Sequence, residues 1–169
     1  MLIKITNYQQ LDPAALMAVY AESNRENAEE MFPELDKEEA VRKVEEGFLD
    51  FLKNDFFAKE RNTYFVLAED GEWLAALRTT ELSDRLFYLE ALETRPDSRR
   101  RGYAAKLITA VIAELKKAGP FRLRDCVDKM NIPSVKTHEK CGFSIAGDGY
   151  DFLSGDTKDW EYSMEYRWE

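Results

Sequence analysis

Apolar and polar positions along the chain change period several times, and each change marks an element. Leu2-Ile3-Lys4-Ile5 alternates as a short first strand. Asp12-Pro13 supplies a capping carboxylate followed by proline at the first helical position, which predicts a helix running to about Asn24. Asp36-Lys37-Glu38-Glu39 resembles a capping box, and Val41, Val44, Phe48, Phe51 and Leu52 carry one apolar helical face to about Lys53. From Tyr64 the period shortens. Tyr64 to Ala68 reads as a strand, Asp70-Gly71 as a hairpin turn, Trp73 to Leu82 as the return strand, and Leu86 to Thr94 as a third strand after a turn at Ser83-Asp84-Arg85.

Ala104, Leu107, Ile108, Val111, Ile112 and Leu115 mark the clearest amphipathic helix, closed by Gly119-Pro120. Phe121 to Val127 is predicted as a strand and Pro133 to Lys140 as a short helix ended by Gly142. Phe143 to Phe152 and Trp160 to Trp168 complete the pattern as an antiparallel pair. The order predicts an α/β (α+β) fold, a mixed sheet of about seven strands with about four helices covering both faces. No repeat or low-complexity linker divides residues 1–169, so one domain is expected.

Composition narrows the function. With 24 Lys and Arg against 33 Asp and Glu the net charge is −9, a poor basis for nucleic-acid binding. No signal peptide is expected at Met1 to Thr6, and no stretch approaches the roughly eighteen apolar residues that span a membrane. Cys126 and Cys141 form neither a disulfide framework nor a metal-ligand pattern, and His138 is the only histidine. The expectation is a cytoplasmic protein with reduced cysteines and no metal site.

The chemistry concentrates where the third meander strand meets the long helix. Leu92-Glu93-Thr94-Arg95-Pro96-Asp97-Ser98 leaves the strand, and Arg99-Arg100-Arg101-Gly102-Tyr103-Ala104-Ala105 enters the helix. A helix start offers unpaired N–H groups and the positive end of the dipole, which suits phosphate. Gly102 and Ala104 keep side chains short where phosphate approaches the backbone, while Arg99, Arg100 and Arg101 add positive charge to an acidic chain.

Thr94, Pro96, Arg99, Gly102 and Ala104 resemble the acyl-CoA-binding motif of the GCN5-related N-acetyltransferase (GNAT) superfamily, with Thr94 in the place of an aliphatic residue. Asn131-x-x-Ser134-x-x-Thr137-His138-x-x-x-Gly142-Phe143 resembles a second motif of that family, with Ser134 for alanine and His138 for tyrosine. The resemblance implies a mostly antiparallel sheet that splays between the strands ending at Thr94 and Val127. It implies acetyl-CoA as co-substrate, held by the backbone of Leu92 and Thr94 along the pantetheine and by the N–H groups from Arg100 to Ala105 at the pyrophosphate. Asn131 is expected to bond the pantetheine, to cap its helix, or both.

The activity implied is acetyl transfer to a primary amine of a small cationic molecule by direct attack. A protein or peptide acceptor is one alternative, and a silent acyl-CoA-binding sensor or scaffold is another. The N–H of Thr94 or Leu92 is the expected oxyanion donor. His138 is the expected acid for the leaving thiolate. Glu90 is the first candidate base, because regular alternation would set it on one face with Leu92 and Thr94; Glu93 is the second, should a bulge change the parity. An acyl-cysteine route through Cys126 lacks a histidine neighbour in sequence. Tyr20, Glu22, Asn24, Met31, Phe32, Phe57, Tyr150, Phe152 and Trp160 are the candidate acceptor pocket, suited to a cation by aromatic faces and carboxylates. Trp160, Tyr162, Tyr166 and Trp168 alternate suitably either for a homodimer face or for the core.

Overall fold

The computed structural model describes all 169 residues. Strands β1 (Leu2–Ile5), β2 (Asn62–Glu69), β3 (Glu72–Ser83), β4 (Leu86–Thr94), β5 (Phe121–Asp128), β6 (Ser144–Tyr150) and β7 (Thr157–Trp168) form one seven-stranded sheet in the order β1-β2-β3-β4-β5-β7-β6. All neighbours pair antiparallel except β4 and β5, which run parallel. Five helices cover it: α1 (Pro13–Val19), α2 (Ala21–Met31), α3 (Lys37–Phe51), α4 (Tyr103–Lys116) and α5 (Ile132–Lys140).

Local chemistry explains most of these elements. Asp12 Oδ1 accepts from the Ala15 N–H at 3.0 Å and Asp36 Oδ1 from those of Glu38 and Glu39 at 3.1 Å, capping α1 and α3 as their sequences predict. Asp70 (φ 51°) and Gly71 (φ 82°) are both left-handed, the geometry of a tight hairpin between β2 and β3. The C-terminus of α4 is sealed from outside the helix: Arg85 donates to the carbonyls of Leu115 (2.6 Å) and Gly119 (3.2 Å), answering groups the helix leaves unpaired.

Two buried clusters flank the sheet. Leu107, Ile108, Val111 and Ile112 of α4 pack with Phe65, Leu77, Leu89 and Leu123 on one face. Leu16, Val19 and Tyr20 pack with Leu52, Phe56, Tyr64, Val66 and Ala76 on the other. Truncating a fully buried leucine such as Leu107 in the first cluster to alanine is expected to cost about 2–5 kcal/mol.

The structure departs from the sequence pattern at three places. The single helix expected from Pro13 to Asn24 is two, because Tyr20 (φ −91°, ψ 11°) breaks it between α1 and α2. α3 continues past Phe51 as a wider turn over Leu52–Phe56 that buries Leu52 and Phe56. β4 carries a bulge: Glu90 pairs with Arg78 and Glu93 with Ala76, so Ala91 and Leu92 together oppose Leu77. Ala91 takes up the extra residue at φ 53°.

Candidate active site

β4 and β5 pair only at Leu86–Arg122, Phe87–Leu123 and Tyr88–Arg124, and beyond that point they part. β5 keeps its other neighbour as far as Asp128, opposite Glu161 of β7. From Leu89 to Thr94, the edge of β4 that faces β5 therefore has no strand partner, and neither does the facing edge of Asp125 to Asp128. This fork is the splay expected between Thr94 and Val127.

The fork opens toward the start of α4. Gly102 occupies the capping position in the left-handed region (φ 78°) with no side chain to bond the first turn. The first bond into this helix is Lys106 N–H to Gly102 C=O at 3.0 Å, so the N–H groups of Tyr103, Ala104 and Ala105 are unclaimed. A Cβ added at Gly102 would meet nothing within 4 Å; its φ, not crowding, demands glycine. Arg100 is left-handed as well (φ 62°), and Arg100 and Arg101 are exposed without ionic partners among the salt bridges of the fold. The arrangement fits a pyrophosphate by the chemistry of its donors.

Arg99 behaves differently from its neighbours. Its guanidinium turns away from the helix start to pair with Glu22 of α2 and, at 3.6 Å, with Glu93. It thus links the loop to the far face of the sheet. Tyr103 donates to Glu69 Oε2 at 3.0 Å. Asn131 Oδ1 accepts the Ser134 N–H at 3.2 Å, so it caps α5, one of the two roles expected of it.

The expected acid is placed otherwise. His138 is 1% exposed, its Nε2 lies 2.8 Å from Asp125 Oδ2, and its Nδ1 lies 2.9 Å from the Ser134 carbonyl oxygen. A carbonyl only accepts, so Nδ1 carries a proton. Burial alone pulls the ring's pKa down, but the hydrogen bond and charge of Asp125 outweigh it and leave it raised. Burial also raises Asp125, so the pair holds its proton tightly. With both ring nitrogens engaged, His138 ties α5 to β5.

The bulge decides the carboxylates. Leu89 and Leu92 pack on the α4 face, whereas Ala91 packs with Tyr20 and Tyr64 on the other. Glu90 therefore does not share a face with Leu92. It pairs with Arg78 at 2.5 Å. Glu93 instead lines a cleft of about 630 Å³ between α2, α3 and the sheet. Burial raises its pKa, the negative charge of Glu26 raises it further, and the Ser23 hydroxyl offsets part of this.

Of the residues expected to form the pocket, Tyr20, Asn24, Met31 and Phe32 line this cleft. Glu22 is held by Arg99, Phe57 packs against Phe56 and Tyr64, and Trp160 is 57% exposed. Phe152 packs instead at a tilt against Tyr88, with Tyr150 edge-on to Phe152, at the point where the fork opens. Burial raises the Cys126 thiol there, and it donates to the Tyr150 carbonyl at 3.1 Å. Ser23, Asn27, Lys43 and Arg78 also line the cleft, and no motif in the chain marks them as a group. One signal was present: Arg78 interrupts the apolar run Trp73-Leu74-Ala75-Ala76-Leu77, and a charge on an otherwise buried strand needs a reason.

A forked parallel pair, a helix start with unclaimed N–H groups and a cleft on the α2–α3 face of the sheet are the features that set this fold apart. The chain belongs to the Acetyltransferase (GNAT) family, whose model matches residues 21–143. Its fold is similar to that of the PaiA N-acetyltransferase of Thermoplasma acidophilum, solved with coenzyme A, at TM-score 0.66 and 16% identity over 99% of both chains. It is similar to the Vibrio cholerae spermidine N-acetyltransferase, solved with CoA and spermine, at 0.63 and 15% over 98% of this chain and 95% of that one. It is also similar to the Escherichia coli ribosomal-protein-S18-alanine N-acetyltransferase, at 0.61 and 22% over 99% and 94%. No curated protein matches in sequence. Membership makes the chain an acyl-CoA-dependent N-acetyltransferase with acetyl-CoA as co-substrate.

Proposed function

We propose that this enzyme transfers the acetyl group of acetyl-CoA to the primary amine of a small molecule that arrives as its ammonium cation, by direct attack and without an acyl-enzyme. The observation that carries the reading is Glu93, a carboxyl raised by burial that lines the cleft from the bulged segment of β4. Such a group accepts a proton from an incoming ammonium close to neutral pH, directly or through one water.

The N–H groups of Tyr103, Ala104 and Ala105 hold the pyrophosphate, with Arg100 and Arg101 adding positive charge, and the unpaired edge of Leu92 to Thr94 holds the pantetheine arm as an added strand would. Acetyl-CoA bound there supplies the reactive thioester. Tyr20, Phe48 and Phe51 give the cleft aromatic walls for the acceptor's carbon skeleton. The protonated, hydrogen-bonded thiol of Cys126 supports direct attack over an acyl-cysteine. A cleft of about 630 Å³ walled by α2 and α3 supports a small acceptor over a protein chain.

Release of CoA thiol, followed with acetyl-CoA across diamines, amino acids, aminoglycosides and N-terminal peptides, tests the reading. Turnover with small amines, suppressed in Glu93→Gln, supports it. Tight acetyl-CoA binding with no turnover on any acceptor would instead make the chain a silent acyl-CoA-binding module.

A further inference from the structure

The charged residues of the cleft do not match a purely cationic ligand. Three charged side chains line it: Glu93, Lys43 and Arg78. Lys43 lies over the Phe32 ring, its Nζ 5.4 Å from the centroid. Arg78 is set deeper, in the sheet, with its side chain 17% exposed. Its guanidinium sits over the rings of Phe51 (5.0 Å) and Phe56 (5.6 Å), which fix its plane.

Only Nε of Arg78 has a hydrogen-bond partner in the fold, donating to Glu90 Oε1 at 2.5 Å. A guanidinium carries five N–H donors in a rigid fork. The four on its two terminal nitrogens therefore have no acceptor from the protein, on a side chain that lines the cleft. Neither terminal nitrogen is among the buried unpaired atoms of the fold, so these donors are open to the cleft and free to meet an acceptor carried by a ligand.

Arg78 and Ala76 are two residues apart on β3, and Glu93 stands opposite Ala76. The backbone positions that carry the proton acceptor and the guanidinium are thus about 7 Å apart along the strand axis. Both side chains line the same cleft, which suits one small molecule with an amine at one end and an anion at the other.

We propose that Arg78 binds a carboxylate on the acceptor, so that the substrates of this enzyme are amino acids in the broad sense. The amine is directed to Glu93 and the carboxylate to the terminal N–H groups of Arg78, with Lys43 adding positive potential above them. This rests on the reading of Glu93 and the cleft as the acceptor site. A polyamine would bring its second ammonium against Arg78 and Lys43, and a protein N-terminus has an amide where the carboxylate should be.

The test compares kcat/KM for CoA release between amino acids (leucine, phenylalanine, β-alanine, 4-aminobutyrate) and their amides. An amide lowers the basicity of the neighbouring amine, so ionisation alone favours the amide. A preference for the acid then has to come from the carboxylate. The expected result is a preference of at least about tenfold for the acid in one or more pairs, falling close to unity in Arg78→Met. Arg78→Lys, which keeps the charge and loses the fork, falls between them. Unchanged acetyl-CoA affinity establishes that each variant is folded.

Equal or better use of the amides by the unaltered enzyme overturns the proposal, and so does a tenfold preference that survives in Arg78→Met. Turnover of other amines with no acid preference removes this inference alone. Absence of turnover with every amine removes the acetyltransfer reading, and this one with it.

Discussion

The hydroxyl of Tyr20 donates to the carbonyl of Ala91 across 2.5 Å, joining the break between α1 and α2 to the bulge of β4. The same hydroxyl accepts from Tyr64 at 2.7 Å, so three elements converge on one oxygen. The bulge is what brings Ala91 onto the cleft face ahead of Glu93, and Tyr20 lines the cleft it helps to shape.

Tyr20→Phe leaves the Ala91 carbonyl and the Tyr64 hydroxyl without this partner, and is expected to cost about 2 kcal/mol in urea unfolding. Tyr64→Phe leaves the bond from Tyr20 to Ala91 intact and is expected to cost about 1 kcal/mol. The reverse order would mean that the bulge does not depend on Tyr20.

His138→Phe strands Asp125 in the core and is expected to cost about 3 kcal/mol. Adding Asp125→Leu to that variant is expected to recover much of the loss. The pH dependence has a definite sign. The folded pKa of His138 is raised, so its contribution is fully present below the ordinary imidazole value of about 6.5 and is lost as pH rises through the folded value. Unfolding free energy measured across this range should decline with pH in the wild type and flatten in the double variant.

Much of the fold was legible because its signals are local. The caps at Asp12 and Asp36, the Asp70-Gly71 turn and the spacing of Leu107 to Leu115 each depend on neighbours a few residues away. The arginine-glycine turn was legible for the same reason. The rest turned on pairs far apart in the chain. The helix breaks at Tyr20 with no glycine or proline there to mark it, and the Tyr20 hydroxyl bonds a carbonyl 71 residues on. The parity of Glu90 and Glu93 depended on a bulge at an alanine, whose positive φ no propensity suggests. His138 matched a motif position, but Asp125, thirteen residues earlier on another element, determines what it does. Arg99 matched its motif too, yet Glu22 on α2 draws its side chain to the opposite face.

Gly102→Ala forces an L side chain into φ 78° at the start of α4. The expected outcome is about 1 kcal/mol of lost stability and a KM for acetyl-CoA raised about tenfold, with kcat less affected. Affinity for CoA by isothermal titration gives the same comparison without turnover. An unchanged affinity would separate the helix start from the pyrophosphate.

Glu26 raises Glu93 through its negative charge. In Glu26→Gln the proton-accepting carboxylate therefore forms at lower pH, and the acid limb of kcat/KM should move downward. A limb that stays in place or moves upward would mean that another group controls it.

The most direct measurement is kcat/KM against pH for acetyl transfer to the best amine, in the wild type and in Glu93→Gln. Raised by burial, Glu93 should give the wild type an acid limb above the ordinary carboxyl range, with activity increasing as the pH rises through it. Glu93→Gln should lose about a hundredfold at neutral pH and show no such limb. A variant that kept both the wild-type rate and the limb would contradict the assignment of Glu93 as the proton acceptor.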